Sequence, residues 1–220
     1  DGVTDIATVG SITVTALNGS IGETAADRVS VTTGEPTVDG TDGVEGAITL
    51  SAGQTDGVAT GDNIFVDSAA DVWLASAIAD IDCVIDWSVI GKINDAAPGD
   101  ATADLTAGTL VLTTTTGVGS ISQIDTVTDF LTIQNTAGTV NVEDLSADGL
   151  TLVDLDTTAG DITITALGSV LVGDVDTTGV GSDVSITSTA GSINDDAAAL
   201  VADISGEVVT LTAAGNIGGT

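Results

Sequence analysis

The sequence predicts an all-β chain wound as a parallel β-helix, with 1–220 forming a single solenoid. Three observations carry this. Short apolar alternations recur along the chain: Ile12/Val14, Ile48/Leu50, Leu110/Leu112, Val140/Val142, Ile162/Ile164, Val170/Val172 and Val184/Ile186. Period two in β-branched residues marks strands with one buried face. Segments also return in near-copy, which is the signature of stacked repeats. The composition is the third: 42% hydrophobic residues but 2% aromatic, with 28 Gly and 36 Thr. That suits a narrow aliphatic core, too tight for many rings, with Gly-marked turns.

The copies set the module. Gly10-Ser-Ile-Thr-Val-Thr-Ala-Leu-Asn-Gly19 matches Gly160-Asp-Ile-Thr-Ile-Thr-Ala-Leu-Gly168. Gly91-Lys-Ile-Asn-Asp95 matches Gly191-Ser-Ile-Asn-Asp195, each followed by an Ala-rich stretch and a Gly-led strand. Asp154-Leu-Asp-Thr-Thr158 matches Asp174-Val-Asp-Thr-Thr178, while Gly138, Gly160 and Ser182-Asp183 start modules 22 residues apart. A module of about 20 residues with variable loops fits these offsets.

Taken in order, residues 22–45 read as a loop-rich insertion with Gly34, Pro36, Gly40 and Gly43. Residues 62–100 read as an irregular insertion carrying Phe65, Trp73, Cys83 and Trp87. Within it, Ile81, Cys83, Ile85, Trp87 and Val89 alternate as a strand, while 68–79 alone would pass for a helix. Trp73 and Trp87 are expected to anchor the insertion against the coil. The Ala-rich segments 96–103 and 197–203 should bulge outward. The competing architecture is a tandem of immunoglobulin-like sandwiches, which requires antiparallel strands and places interdomain Ca²⁺ near 95–104.

Charge excludes further classes. The chain holds 2 Lys+Arg against 33 Asp+Glu, no His, and a net charge of -31. Phosphate neutralisation needs basic side chains, so nucleic acid is excluded as a partner. No apolar run of 18 residues exists, so no helical membrane span is present. Apolar content this high is unlike a disordered acidic tail. The lone Cys83 has no internal disulfide partner. No signal peptide is visible, and the start at Asp1 without Met reads as a processed product or part of something larger. So few basic residues suit an extracellular or high-salt setting.

Gly191-Ser-Ile-Asn-Asp195, Ala103-Asp-Leu-Thr-Ala-Gly-Thr-Leu-Val-Leu-Thr113 and Leu211-Thr-Ala-Ala-Gly-Asn-Ile217 carry a resemblance. Most of 104–217, and a short piece near 10–21, resembles the repeat regions of filamentous haemagglutinin-like bacterial surface proteins. The resemblance implies a right-handed β-helix, export, and a non-enzymatic role as part of a surface fibre or adhesin. It also implies partners: further copies or flanking repeats end to end, and a host or matrix surface.

A rod this charged must gather cations, and Ca²⁺ prefers oxygen ligands. The candidate metal ligands are Asp154, Asp156, Asp174 and Asp176. If the windings stack in phase, the two Asp-x-Asp-Thr-Thr turns face each other about 5 Å apart; otherwise these side chains splay into salt water. Asp195-Asp196 and Asp80/Asp82/Asp86 are weaker candidates. A carbohydrate-active β-helix would use paired carboxylates, but the chain has neither His nor Tyr to act as base. Thr13/Thr15, Thr163/Thr165 and Thr210/Thr212 would form either ordinary strand surface or an ice-binding-type hydroxyl array. Arg28 and Lys92 are expected to pair with Asp.

Overall fold

The computed structural model describes residues 5–8, 10–17, 19–33, 46–53, 62–196 and 203–218. They form parallel strands stacked as a helix-free β-solenoid of about eight turns. The first sheet holds Ile6–Thr8 (β1), Val29–Thr33 (β3), Ile64–Ser68 (β5), Val84–Val89 (β7), Thr109–Thr114 (β10), Phe130–Asn135 (β13) and Leu150–Thr157 (β15). Val170–Val172 (β17) with Val175–Thr177 (β18), and Ile193–Asp195 (β20) with Ile204–Ser205 (β21), complete it. The second sheet holds Ile12–Ala16 (β2), Ile48–Ala52 (β4), Val72–Ile78 (β6), Lys92–Asp95 (β8) and Leu105–Thr106 (β9). Gly117–Val118 (β11), Ile124–Val127 (β12), Val140–Asp144 (β14), Ile162–Ala166 (β16), Val184–Ser188 (β19) and Val209–Ala213 (β22) follow. The chain thus visits the sheets alternately. All strand pairings among the described residues are parallel, which overturns the immunoglobulin-like alternative.

Alternation explains why the sheets close on one core. Val140, Ile162, Val184 and Val209 pair in register, as do Val142, Ile164, Ile186 and Leu211. The 22-residue module is therefore one winding here. Interior residues of both sheets join one hydrophobic cluster. Fully burying each such aliphatic side chain contributes about 1.5–3 kcal/mol. Where the first sheet turns, Val89, Thr114, Asn135, Thr157 and Thr177 occupy one column. Asn135 there bridges the windings: Thr114 Oγ1 donates to its Oδ1 at 3.1 Å, and its Nδ2 donates to Thr157 Oγ1 at 3.2 Å. The turn just beyond needs glycine. A Cβ on Gly160 (φ 111°) would lie 2.5 Å from the Gly138 carbonyl of the winding below.

Several expectations change. Residues 62–100 are not an irregular insertion: they supply β5 to β8, in register with later windings. Residues 72–78 of the helix-like stretch form a strand. Trp87 lies inside the coil, fully buried and stacked between Val66 and Leu112. A ring therefore fits the interior, although its Nε1 has no hydrogen-bond partner. Ile81 faces solvent, because the chain turns at 81–83 and the strand begins at Val84. The matched pair Gly91–Asp95 and Gly191–Asp195 falls on different sheets, β8 and β20. Their spacing is a half-integral number of windings, so like sequences sit on opposite sides of the core. Of the 22–45 insertion, Gly34, Pro36, Gly40 and Gly43 lie outside the described residues, and so does most of 197–203.

Both basic residues pair with Asp. Lys92 Nζ lies 3.4 Å from Asp71. Arg28 does more: it donates to the Val66 carbonyl at 3.1 Å, the Asp86 carbonyl at 2.7 Å and Asp86 Oδ2 at 2.6 Å. One guanidinium thus ties three successive strands, β3, β5 and β7. Charge-assisted bonds of this kind contribute about 1.5–3 kcal/mol. Arg28→Ala should lower stability by about 2 kcal/mol and speed amide exchange in 64–68, whereas Lys92→Ala should cost under about 1 kcal/mol. Equal denaturation midpoints for the two variants would remove the clamp.

Candidate functional site

The four predicted aspartates do stack. Asp156 and Asp176 are register partners, and Leu155, paired with Val175, donates its N–H to the Asp174 carbonyl at 2.9 Å. Asp154 and Asp174 therefore sit one residue before a matched pair. All four lie at partly or fully exposed positions of the first sheet. Gln134 Nε2 donates to Asp154 Oδ2 at 2.8 Å. Partial burial raises the pKa of Asp154, and the charges of Asp156, Asp174 and Asp176 add to it. Asp176 is raised for the same reasons, with Asp174 and Asp156 adding to burial.

This is a line of like charges rather than a chelating cage. Among the described residues no three carboxylate or thiol groups converge closely enough to hold a metal ion. Neighbouring carboxylates in such a line repel one another, and salt screens that repulsion. Asp156→Asn with Asp176→Asn should therefore raise the melting temperature in low salt and change it little in 1 M NaCl, where the Debye length is about 3 Å. An increase of equal size in both salts would show that the repulsion is not what the variant relieves. Asp195 and Asp196 are exposed at the end of β20, and Asp86 is taken by Arg28.

A second acidic group lies where the Ala-rich segment 96–103 leaves the winding. Asp95 ends β8 and Asp104 precedes β9, and both are 4% exposed. The loop between them carries exposed residues at 97–102. Asp95 Oδ1 accepts the Ala97 N–H at 2.5 Å, and Ser122 Oγ donates to the Asp95 carbonyl at 2.7 Å. Asp104 Oδ2 accepts the Asp125 N–H at 2.9 Å, and the Asp95 carboxylate lies near enough for its charge to act on Asp104.

Burial raises the pKa of Asp104 from 3.8 to about 8; the Asp125 N–H opposes this, and the charges of Asp95 and Asp125 add to it. Asp125 is pushed to about 6 by burial, Glu143, Asp95 and Asp100. Asp144, fully buried on β14, is pushed to about 6 by burial, against the hydrogen bonds from Thr128 N and Thr126 Oγ1 to its Oδ1, both at 3.2 Å. Among the described residues no Lys or Arg pairs with any of these groups.

Sequence reasoning missed this group. A signal existed in parity: Asp95 follows inward Ile93 by two, and Asp144 follows inward Val142 by two. Asp104 has no such signal, because Asp104 and Leu105 are consecutive buried residues that break the alternation. The Thr pairs face outward as expected, with Thr163, Ser185 and Thr210 in one rank and Thr165, Thr187 and Thr212 in the next.

In comparison with known proteins, no family model, no characterised protein and no solved structure matches the chain.

Proposed function

We propose that the chain is a non-enzymatic structural segment of an extracellular surface fibre or adhesin, of the filamentous haemagglutinin-like kind its sequence resembles. The observation that carries this is the unbroken aliphatic column through successive windings, Val140 to Ile162 to Val184 to Val209. Stacked backbone ladders over a continuous core resist bending and extension, which is what a stalk needs. About eight turns at roughly 4.8 Å each make a rod of roughly 40 Å. With a charge of -31, its linear density resembles that of duplex DNA. Counterions, Ca²⁺ among them, would screen it and keep it soluble and salt-responsive. Its partners would be like repeats end to end and a host or matrix surface.

A carbohydrate-active role fits less well. Of the three carboxyls whose proton affinity is raised furthest, Asp104 and Asp144 are buried out of reach of a polysaccharide, and Asp125 alone is half-exposed, without the paired carboxyl that such chemistry uses.

Gold-labelled antibody on intact producing cells tests the reading. Label on rods outside the envelope is the expected result; label confined to the cell interior would end it.

A further inference from the structure

We propose that the outer face of the first sheet, around Phe130, Val153 and Leu171, docks a basic amphipathic peptide segment of a partner protein. This names the partner's chemistry within the reading of the chain as an adhesive surface segment, and rests on that reading for where the partner is met. The three side chains are 47%, 45% and 41% exposed. Phe130 pairs with Thr151 and Thr151 with Leu171, so Phe130 and Leu171 share one outward column. Strands stack about 4.8 Å apart, which sets these two roughly 10 Å from each other. Val153 follows Thr151 by two along β15, and half-buried Val111 pairs with Thr132, two residues along from Phe130. The four side chains form one patch. Other exposed apolar residues, such as Ile90, Ile121 and Val180, sit in turns and bends. Single exposed apolar residues are ordinary, whereas contiguous ones mark contact surfaces.

Two local features put apolar groups in water here. Of the four rings in the chain, Phe130 alone stands at an exposed position; Trp87 is inside the coil, and Phe65 and Trp73 are partly covered. Val153 is the extra residue of a β-bulge in β15, where the register shifts opposite Leu131 and Thr132. The bulge leaves Leu152 and Leu155 both fully buried and sets Val153 and Asp154 side by side on the outer face. Bulges re-aim side chains in this way.

Charge selects the occupant. The aspartate ladder begins at Asp154, directly beside Val153, and continues through Asp156, Asp174 and Asp176. Arg28 and Lys92 pair elsewhere, with Asp86 and Asp71. Partial burial and mutual repulsion already raise the proton affinity of Asp154 and Asp176. Lys or Arg side chains brought alongside would offset that repulsion while apolar neighbours on the same segment cover Phe130 and Leu171. A second copy would bring the same ladder and a charge of -31, setting like charges face to face. Nucleic acid and anionic lipid carry the ladder's own sign.

The test uses two synthetic peptides of equal length and charge, one alternating Leu with Lys and the other Ser with Lys, titrated into the chain in about 0.15 M NaCl. The Leu–Lys peptide should bind about tenfold more tightly or better. Phe130→Thr with Leu171→Thr leaves the charge unchanged and copies the Thr that the same column holds at 109 and 151. That variant should melt like the wild type and lose the preference, whereas Asp156→Asn with Asp176→Asn should weaken both peptides. Equal affinity of the wild type for the two peptides, binding of neither, an unchanged preference in the Thr variant or unchanged affinities in the Asn variant would each overturn the docking surface. Self-association of the wild type that the Thr variant abolishes would also overturn it, because a second copy would then cover the patch. Rods on the cell surface without the peptide preference would retire this surface but leave the fibre role standing. A clear preference in a chain found only inside cells would do the reverse.

Discussion

Raising the pH from about 4 to about 8 should destabilise the protein steadily, and Asp104→Asn should remove much of that slope. Asp104 titrates near 8 in the folded chain against an ordinary 3.8. A carboxyl whose folded pKa is raised binds its proton more tightly folded than unfolded. Its contribution is therefore fully present below the unfolded value and is lost as pH climbs through the window to the folded one. Every tenfold gain in proton affinity on folding corresponds to about 1.4 kcal/mol, so this site and its coupled neighbours together set a loss on the order of 5 kcal/mol. Asp125 and Asp144 add to the lower part of the window, ending near 6. For a domain of this size the melting temperature should fall by roughly 10 °C or more. Asparagine keeps an acceptor for the Asp125 N–H and a donor toward Asp95 without the charge, so the variant should be the more stable protein at pH 8. General self-repulsion also grows over this range, but 1 M NaCl screens it at the surface and not inside the winding. Melting curves at several pH values in high salt decide the matter. A flat wild-type profile, or an unchanged slope in Asp104→Asn, would sink this account.

Ile164→Asp should unfold the windings around it. Ile164 is fully buried on β16, paired to Val142 below and Ile186 above. Removing a buried Ile side chain costs about 2–5 kcal/mol, and an unpaired carboxylate in its place adds the cost of burying a charge. Stability in a solenoid is passed between neighbours, so the damage spreads to adjacent windings before it reaches the ends. Thr165→Asp, one residue away on the outer face, should change stability by about 0.5 kcal/mol or less. Limited proteolysis is the measurement: cleavage around 140–190 is expected for Ile164→Asp and not for Thr165→Asp. Similar resistance in both variants would mean that the inward face has been misassigned.

Much of the fold was legible in the residues. Val140, Ile162 and Val184 stand 22 apart because each closes one winding, and a winding needs both a two-residue alternation and a Gly-permitted turn. Asp156 and Asp176 stand 20 apart for the same reason, so their meeting could be read in advance. The Asp95–Asp104 pair was not legible in this way. It forms because 96–103 leaves the coil and both of its roots turn inward, which depends on where the loop re-enters. Trp87 misled in the opposite direction. Rarity of rings suggests a coil too narrow for them, yet one Trp fits where the stacked neighbours are Val66 and Leu112.

Periodicity and composition alone determined that this chain is a stacked, aliphatic, strongly acidic β-coil, because side-chain parity and turn chemistry are local properties. Only the tertiary structure decided which sheet each repeat occupies and which carboxyls are taken out of water. Those outcomes depend on the count of residues in every loop between distant windings. A difference of half a turn in that count carries the Ile-Asn-Asp of 93–95 to one sheet and that of 193–195 to the other.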